Sequence, residues 1–172
     1  MRPPVLLAAA LLLVPFLPRL DAASVGVADD LPDLVARAEI VAEFQVVDAR
    51  PEMLPDGSIQ TAYTFSTLTP MKGRPASVLE VRLPGGEVAG RGLLLPGMPE
   101  LRVGDRQILF LSAQGKEKPW RMPIGLAAGA WKVSGGGGGA AVVSRVQSEG
   151  TDVRDYREFV AAVLEEVARQ QG

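Results

Sequence analysis

The chain has 172 residues, 18 basic and 20 acidic side chains, a formal net charge of −2, no cysteine and no histidine. Without imidazole there is no Ser-His-Asp triad, no Cys-His pair, no histidine proton shuttle and no zinc site built on histidine. Without thiols there are no disulfides, thiolate ligands or lipid-modified cysteine, and four lysines with no basic run leave no electrostatic footprint for nucleic acid.

The first stretch, MRPPVLLAAALLLVPFLPRLDAAS, sets Arg2 ahead of an apolar run from Val5 to Leu17 and places small residues Ala22, Ala23 and Ser24 behind it. This pattern predicts a secretory signal peptide over residues 1–23, cut near Ala23, with Ser24 and Ala28 as neighbouring cut points. A bilayer span takes about 20 apolar residues, so this shorter run, interrupted by Pro15, predicts no stable membrane insertion after cleavage. The remaining 149 residues, at net charge −3 once Arg2, Arg19 and Asp21 are removed, are enough for one domain with its own core. The predicted location is secreted or periplasmic. The lack of bridges suits a bacterial periplasm or medium better than an animal extracellular space.

In ADDLPDLVARAE, Asp30 or Asp33 caps a short helix carrying Leu34, Val35 and Ala38 on one side. Asp29, Asp30 and Asp33 lack the alternating acids, central glycine and distant glutamate of a calcium loop. A strand follows over Ile40 to Ala49, with Ile40, Ala42, Phe44 and Val46 on one face and Glu43 and Gln45 on a polar one. Asp56-Gly57 signals a hairpin turn into the strand IQTAYTFSTLTPM, where Tyr63, Phe65 and Thr67 share a face. SVLEVRL predicts the next strand, after a break at KGRPA.

Residues 81 to 111 hold six glycines and three prolines yet close on the apolar run RQILFL. They read as barrel corners: a Gly-Gly turn, an irregular strand in which Gly90 and Gly92 avoid crowding at a bulge, a Pro-Gly turn, a VGD turn and a buried strand. Two short apolar pieces follow, around Trp120 to Ile124 and Ala130 to Val133, and the run Gly135 to Gly139 reads as a flexible turn. Val153, Tyr156, Val160, Val163, Leu164 and Val167 recur at helical spacing. They predict an amphipathic helix capped by Thr151 or Asp152 and docked on the barrel, over residues 150–172.

Catalytic motifs are missing from the sequence: there is no G-x-S-x-G elbow, no serine with a lysine three residues on, and no Walker-type glycine loop. Gly135, Gly137 and Ala140 match a relaxed dinucleotide pattern, but AAVVSRV behind them is strand-like where a phosphate-binding helix should begin. Glu43, Glu80 and Glu87 lie on or beside strands and offer a carboxylate pair for hydrolysis, with solvated strand faces as the competing explanation. Trp120, Trp131, Tyr63 and Phe65 offer a stacking platform for sugars, with core packing as the competing one.

Arg37-Ala38-Glu39, Lys72-Gly73, Pro84-Gly85-Gly86-Glu87 and Val103-Gly104-Asp105-Arg106 together resemble a group of exported bacterial proteins of unassigned function, over about 100 residues. The same order of elements looks like the netrin-like barrel of tissue inhibitors of metalloproteinases, an OB-type fold. That resemblance implies a protease-binding module. Those inhibitors chelate the target's zinc through an amino-terminal cysteine that this chain lacks, so only the fold carries over. The expectation is a mainly β protein, an OB or netrin-like Greek-key barrel over residues 24–149 with a short leading helix and a docked C-terminal one. Its function is that of a non-catalytic module without cofactor or metal, binding an extracellular or periplasmic protein through Glu87, Arg91 and Met98. Oligosaccharide or cell-wall binding and carboxylate-based hydrolysis are the alternatives.

Overall fold

A computed structural model describes residues 30–115, 120–136, 140–147 and 150–172. The signal-peptide reading, Asp29 and positions 137–139 of the glycine run lie outside them, and with position 137 goes the relaxed dinucleotide pattern. The protein is mainly β. Its elements are α1 (Leu31–Arg37), β1 (Ile40–Met53), β2 (Ile59–Lys72), β3 (Val78–Pro84), β4 (Gly86–Val88), β5 (Arg91–Leu93), β6 (Arg106–Leu111), β7 (Ala130–Ser134), β8 (Val142–Gln147), β9 (Gly150–Asp155) and α2 (Tyr156–Gln171). Seven strands form one antiparallel sheet in the order β3-β2-β1-β6-β7-β8-β9, and β4 and β5 form a separate hairpin. Among the described residues no pairing joins β3 to β9, so the sheet's ladder is not closed.

The sheet is buried on both faces over its centre. On one face Val41, Ile108, Phe110, Trp131, Val133 and Val143 meet Leu34 and Val35 of α1 and Phe159, Val163 and Val167 of α2. On the other, Ile40, Ala42, Phe44, Val46, Phe65, Val81, Leu83, Leu109 and Leu111 form a second cluster, extended by Leu101. The run RQILFL is therefore continuous in apolar character because its alternate residues serve two cores. Asp30 caps α1 through its carboxylate, which accepts the Asp33 amide at 3.0 Å, as its spacing predicts.

Several expectations need correcting. β1 continues through Arg50-Pro51-Glu52-Met53, where the sequence suggests a connector, because these residues pair with Ile59 to Ala62 around the Asp56-Gly57 turn. Residues 150–155 are not the start of the last helix: Thr151 to Asp155 pair with β8, and Asp155 caps α2 by accepting the Arg157 and Glu158 amides. Val153, expected on the helix's apolar face, is instead exposed on a strand. Gly90 and Gly92 are not crowded, since a methyl group at either position meets open space. Gly90 serves the tight β4–β5 turn, where it and Ala89 both have positive φ, at 76° and 51°.

No helix among the described residues is long and apolar enough to cross a membrane.

Candidate functional site

The two faces of the sheet present two polar and apolar arrangements of different character. Under the helices, Glu43 of β1 is 1 % exposed. This overturns its assignment to a solvated face: the alternation is correct, but α2 covers that face. Arg106, its diagonal neighbour on β6, donates from Nε and Nη2 to Oε1 at 2.7 and 2.5 Å, and the Tyr156 hydroxyl donates to Oε2 at 2.7 Å. Each carboxylate oxygen thus has a partner, which is the condition for holding a charge out of water. Burial raises the Tyr156 phenol above its ordinary value; the hydrogen bond to Glu43 and the Glu43 charge push it the same way, while Arg106 opposes them.

Nearby, the Trp131 ring lies 4.4 Å from Phe159 and 4.4 Å beneath the Arg145 guanidinium. Arg145 also donates to the Ala128 carbonyl at 2.9 Å. This stack supports α2 rather than a ligand: Trp131 is buried, Phe65 lies in the other core, Tyr63 is half-buried with burial raising its phenol's pKa, and Trp120 is half-buried. Trp131 and the Tyr63–Phe65 pair, on opposite faces of the sheet, form no common platform. A recess of about 510 Å³ beside the network is lined by Arg106, Asp155, Tyr156 and Arg157. Of its polar groups, Arg106 holds Glu43, the Tyr156 hydroxyl donates to Glu43, and Asp155 caps α2.

On the opposite side lies a groove of about 650 Å³, bordered by Tyr63 of β2, Leu83 and Pro84 at the end of β3, Glu87 of β4, Gly92 and Leu93 of β5, and the segment from Leu94 to Arg102. Its volume is in the range of ligand and peptide pockets. The wall exists because Gly85 and Gly86 let the chain turn back over the end of the main hairpin. Gly86 has φ 130° and sits against Thr61, where a Cβ would collide with the threonine hydroxyl, and that hydroxyl donates to the Gly85 carbonyl at 2.8 Å. Beyond the hairpin, three leucines run in succession, and Leu94 is 93 % exposed. Met98 packs on the edge of the second core. Below it, the VGD turn is fastened by the Asp105 carboxylate accepting the Arg102 amide and by the Gly104 amide donating to Val46.

Of the predicted contact residues, the structure brings Glu87 and Met98 to this one groove. Arg91 is on the same hairpin but reaches towards the Met53 sulfur instead of lining it. The leucines 93 to 95 were not singled out by the sequence; a run of three apolar residues between two turn signals was their only mark.

The proposed acids are not brought together. Glu80 binds Arg50 and Arg82, Glu43 binds Arg106, and Glu87 is on the separate hairpin. Through β2, Glu43 pairs with Thr69 and Glu80 with Thr64, a separation of about 16 Å along the strand at roughly 3.3 Å per residue. That exceeds the spacing at which two carboxylates share one glycosidic bond, about 5 to 9.5 Å. Among the described residues no cluster of three acidic side chains could hold a metal.

Comparison with protein-family models, with curated proteins and with solved structures finds no match to this chain.

Proposed function

We propose that this chain is an exported, non-catalytic binding module whose contact surface is the groove between β3 and the β4–β5 hairpin, and whose partner is an extracellular or periplasmic protein such as a protease. The observation that carries the reading is the Leu93–Leu95 run beside an apolar groove, with Leu94 almost fully in solvent. A small domain gains no stability from such a residue, and contiguous exposed apolar surface marks an interaction site. An OB or netrin-like frame suits this role, since barrels of that type bind through loops at one end. Support for that frame comes from the second core, whose strand residues are drawn from β1, β2, β3, β6 and β7 of one sheet, as a curled sheet requires. Secretion or residence in the periplasm rests on the leader-like first 23 residues.

The test uses the mature protein and its Leu94→Asp variant as parallel baits in the secreted and periplasmic fractions of its source, with mass spectrometry of what is retained. A protein held by the first bait and lost from the second supports the groove, and a protease whose activity falls on adding the bait supports inhibition. Equal retention by both baits, or retention of glycans alone, contradicts it.

A further inference from the structure

The charges at the groove's rim narrow its occupant. Among the described residues Glu87 has neither an ion pair nor a hydrogen-bonded partner, although it lines the groove. Glu100, also in the lining, has an exposed carboxylate reached only by Arg102 at 3.8 Å. Of the nearby cations, Arg82 holds Glu52 and Glu80, and Arg102, itself in the lining, turns to Glu100, while Arg91 lies outside the lining and reaches the Met53 sulfur. Among the described lining residues Glu87 is therefore the carboxylate left without an ion pair, beside walls made of Leu83, Leu93, Leu94, Leu95 and Met98.

The backbone adds a direction. β5 pairs with β4 alone, and around the two-residue turn Glu87 and Gly92 form the non-hydrogen-bonded pair, so the Gly92 amide and carbonyl face away from β4 where Gly92 lines the groove. An extended chain can approach there and add its own main-chain hydrogen bonds, seating alternate side chains in the groove.

We infer that the groove takes an extended apolar peptide segment carrying a lysine or arginine, laid along β5 with its cation at Glu87. This rests on the groove being the contact surface, and the two claims fail separately. Random dodecapeptides displayed on phage are panned against the mature protein, and the selected peptides are synthesised and their binding followed by fluorescence anisotropy. Leu94→Asp, at a fully exposed position, keeps the fold and removes the apolar wall.

The inference expects peptides that combine alternating apolar residues with a basic one, that lose binding to Leu94→Asp, and that bind Glu87→Gln about fivefold more weakly at low salt, as loss of a partly exposed charge pair implies. Raising the ionic strength erases that fivefold difference. Peptides that depend on Leu94 but carry no cation, or that ignore Glu87→Gln, overturn the charge assignment and leave the groove standing. An absence of Leu94-dependent peptides overturns both. Binding of dodecanoate in the groove without any such peptide also overturns the peptide as occupant.

Discussion

The helix-covered face and the groove-bearing face of the sheet hold comparable amounts of apolar side chain, but they use it differently. Under α1 and α2 the surface is sealed, and even the charged groups there are spent on one another: both oxygens of Glu43 are bonded, and Arg145 lies flat on Trp131. Across the sheet, the second core is sealed in the middle but ends in a groove with a short hairpin for one wall, an exposed leucine run and an unpaired glutamate. Stability is concentrated where charges are paired and water is excluded, with the buried Trp131 Nε1, which has no hydrogen-bond partner among the described residues, as the exception. Recognition belongs where apolar surface and charge are left without partners inside the chain.

If this division holds, substitutions on the first face alter stability and those on the second alter binding. Glu43→Ala has the largest predicted effect, a loss of about 2–4 kcal/mol, because it removes the bonds to Arg106 and Tyr156 and leaves a void, while the remaining Arg106 is 40 % exposed and can turn to water; equilibrium urea unfolding measures it. Tyr156→Phe loses about 1.5–3 kcal/mol, the range for a hydrogen bond to a charged group. Its pH dependence follows from the sign of the shift. Because the folded state raises the phenol's pKa, its contribution is complete below about pH 10, the ordinary tyrosine value, and is lost as pH rises through the higher folded value. The wild-type midpoint should therefore fall in strong alkali, and that part of the fall should vanish in Tyr156→Phe.

Gly86→Ala sits between the two faces in effect, at about 1–3 kcal/mol of local strain, because φ 130° and the Thr61 contact both resist a side chain. Amide exchange should quicken in residues 85–95 while α2 stays unchanged. Leu94→Ala comes last, within about 0.5 kcal/mol in stability, since its side chain is already in water. A large destabilisation there would break the division.

The legible parts of this molecule were those written in local chemistry. Asp30 as a cap, Asp56-Gly57 as a turn and RQILFL as a buried strand depend on residues close in sequence, and the structure places them so. Glu43 was misjudged because alternation tells which face a residue occupies and not what covers that face; the covering residue, Tyr156, is 113 positions away. The boundary of α2 was misplaced because Val153 is by coincidence in phase with Tyr156, Val160 and Val163, while the alternation of Thr-Asp-Val-Arg-Asp against β8 is a tertiary pairing. Part of the groove was visible as Glu87 and Met98, both near turn glycines. The exposed leucines were not, because in a sequence an apolar residue in water looks the same as one in a core.

The most direct test of the division places a photo-reactive leucine analogue at one of two positions of comparable chemistry, Leu94 beside the groove or Leu164 on the outer side of α2, both exposed. Each protein is irradiated in the secreted and periplasmic fractions of its source, and the cross-linked species are compared. The division predicts a discrete protein adduct from position 94 that is missing from position 164. Adducts from position 164 alone, or identical ones from both, would place recognition on the helix side and contradict it.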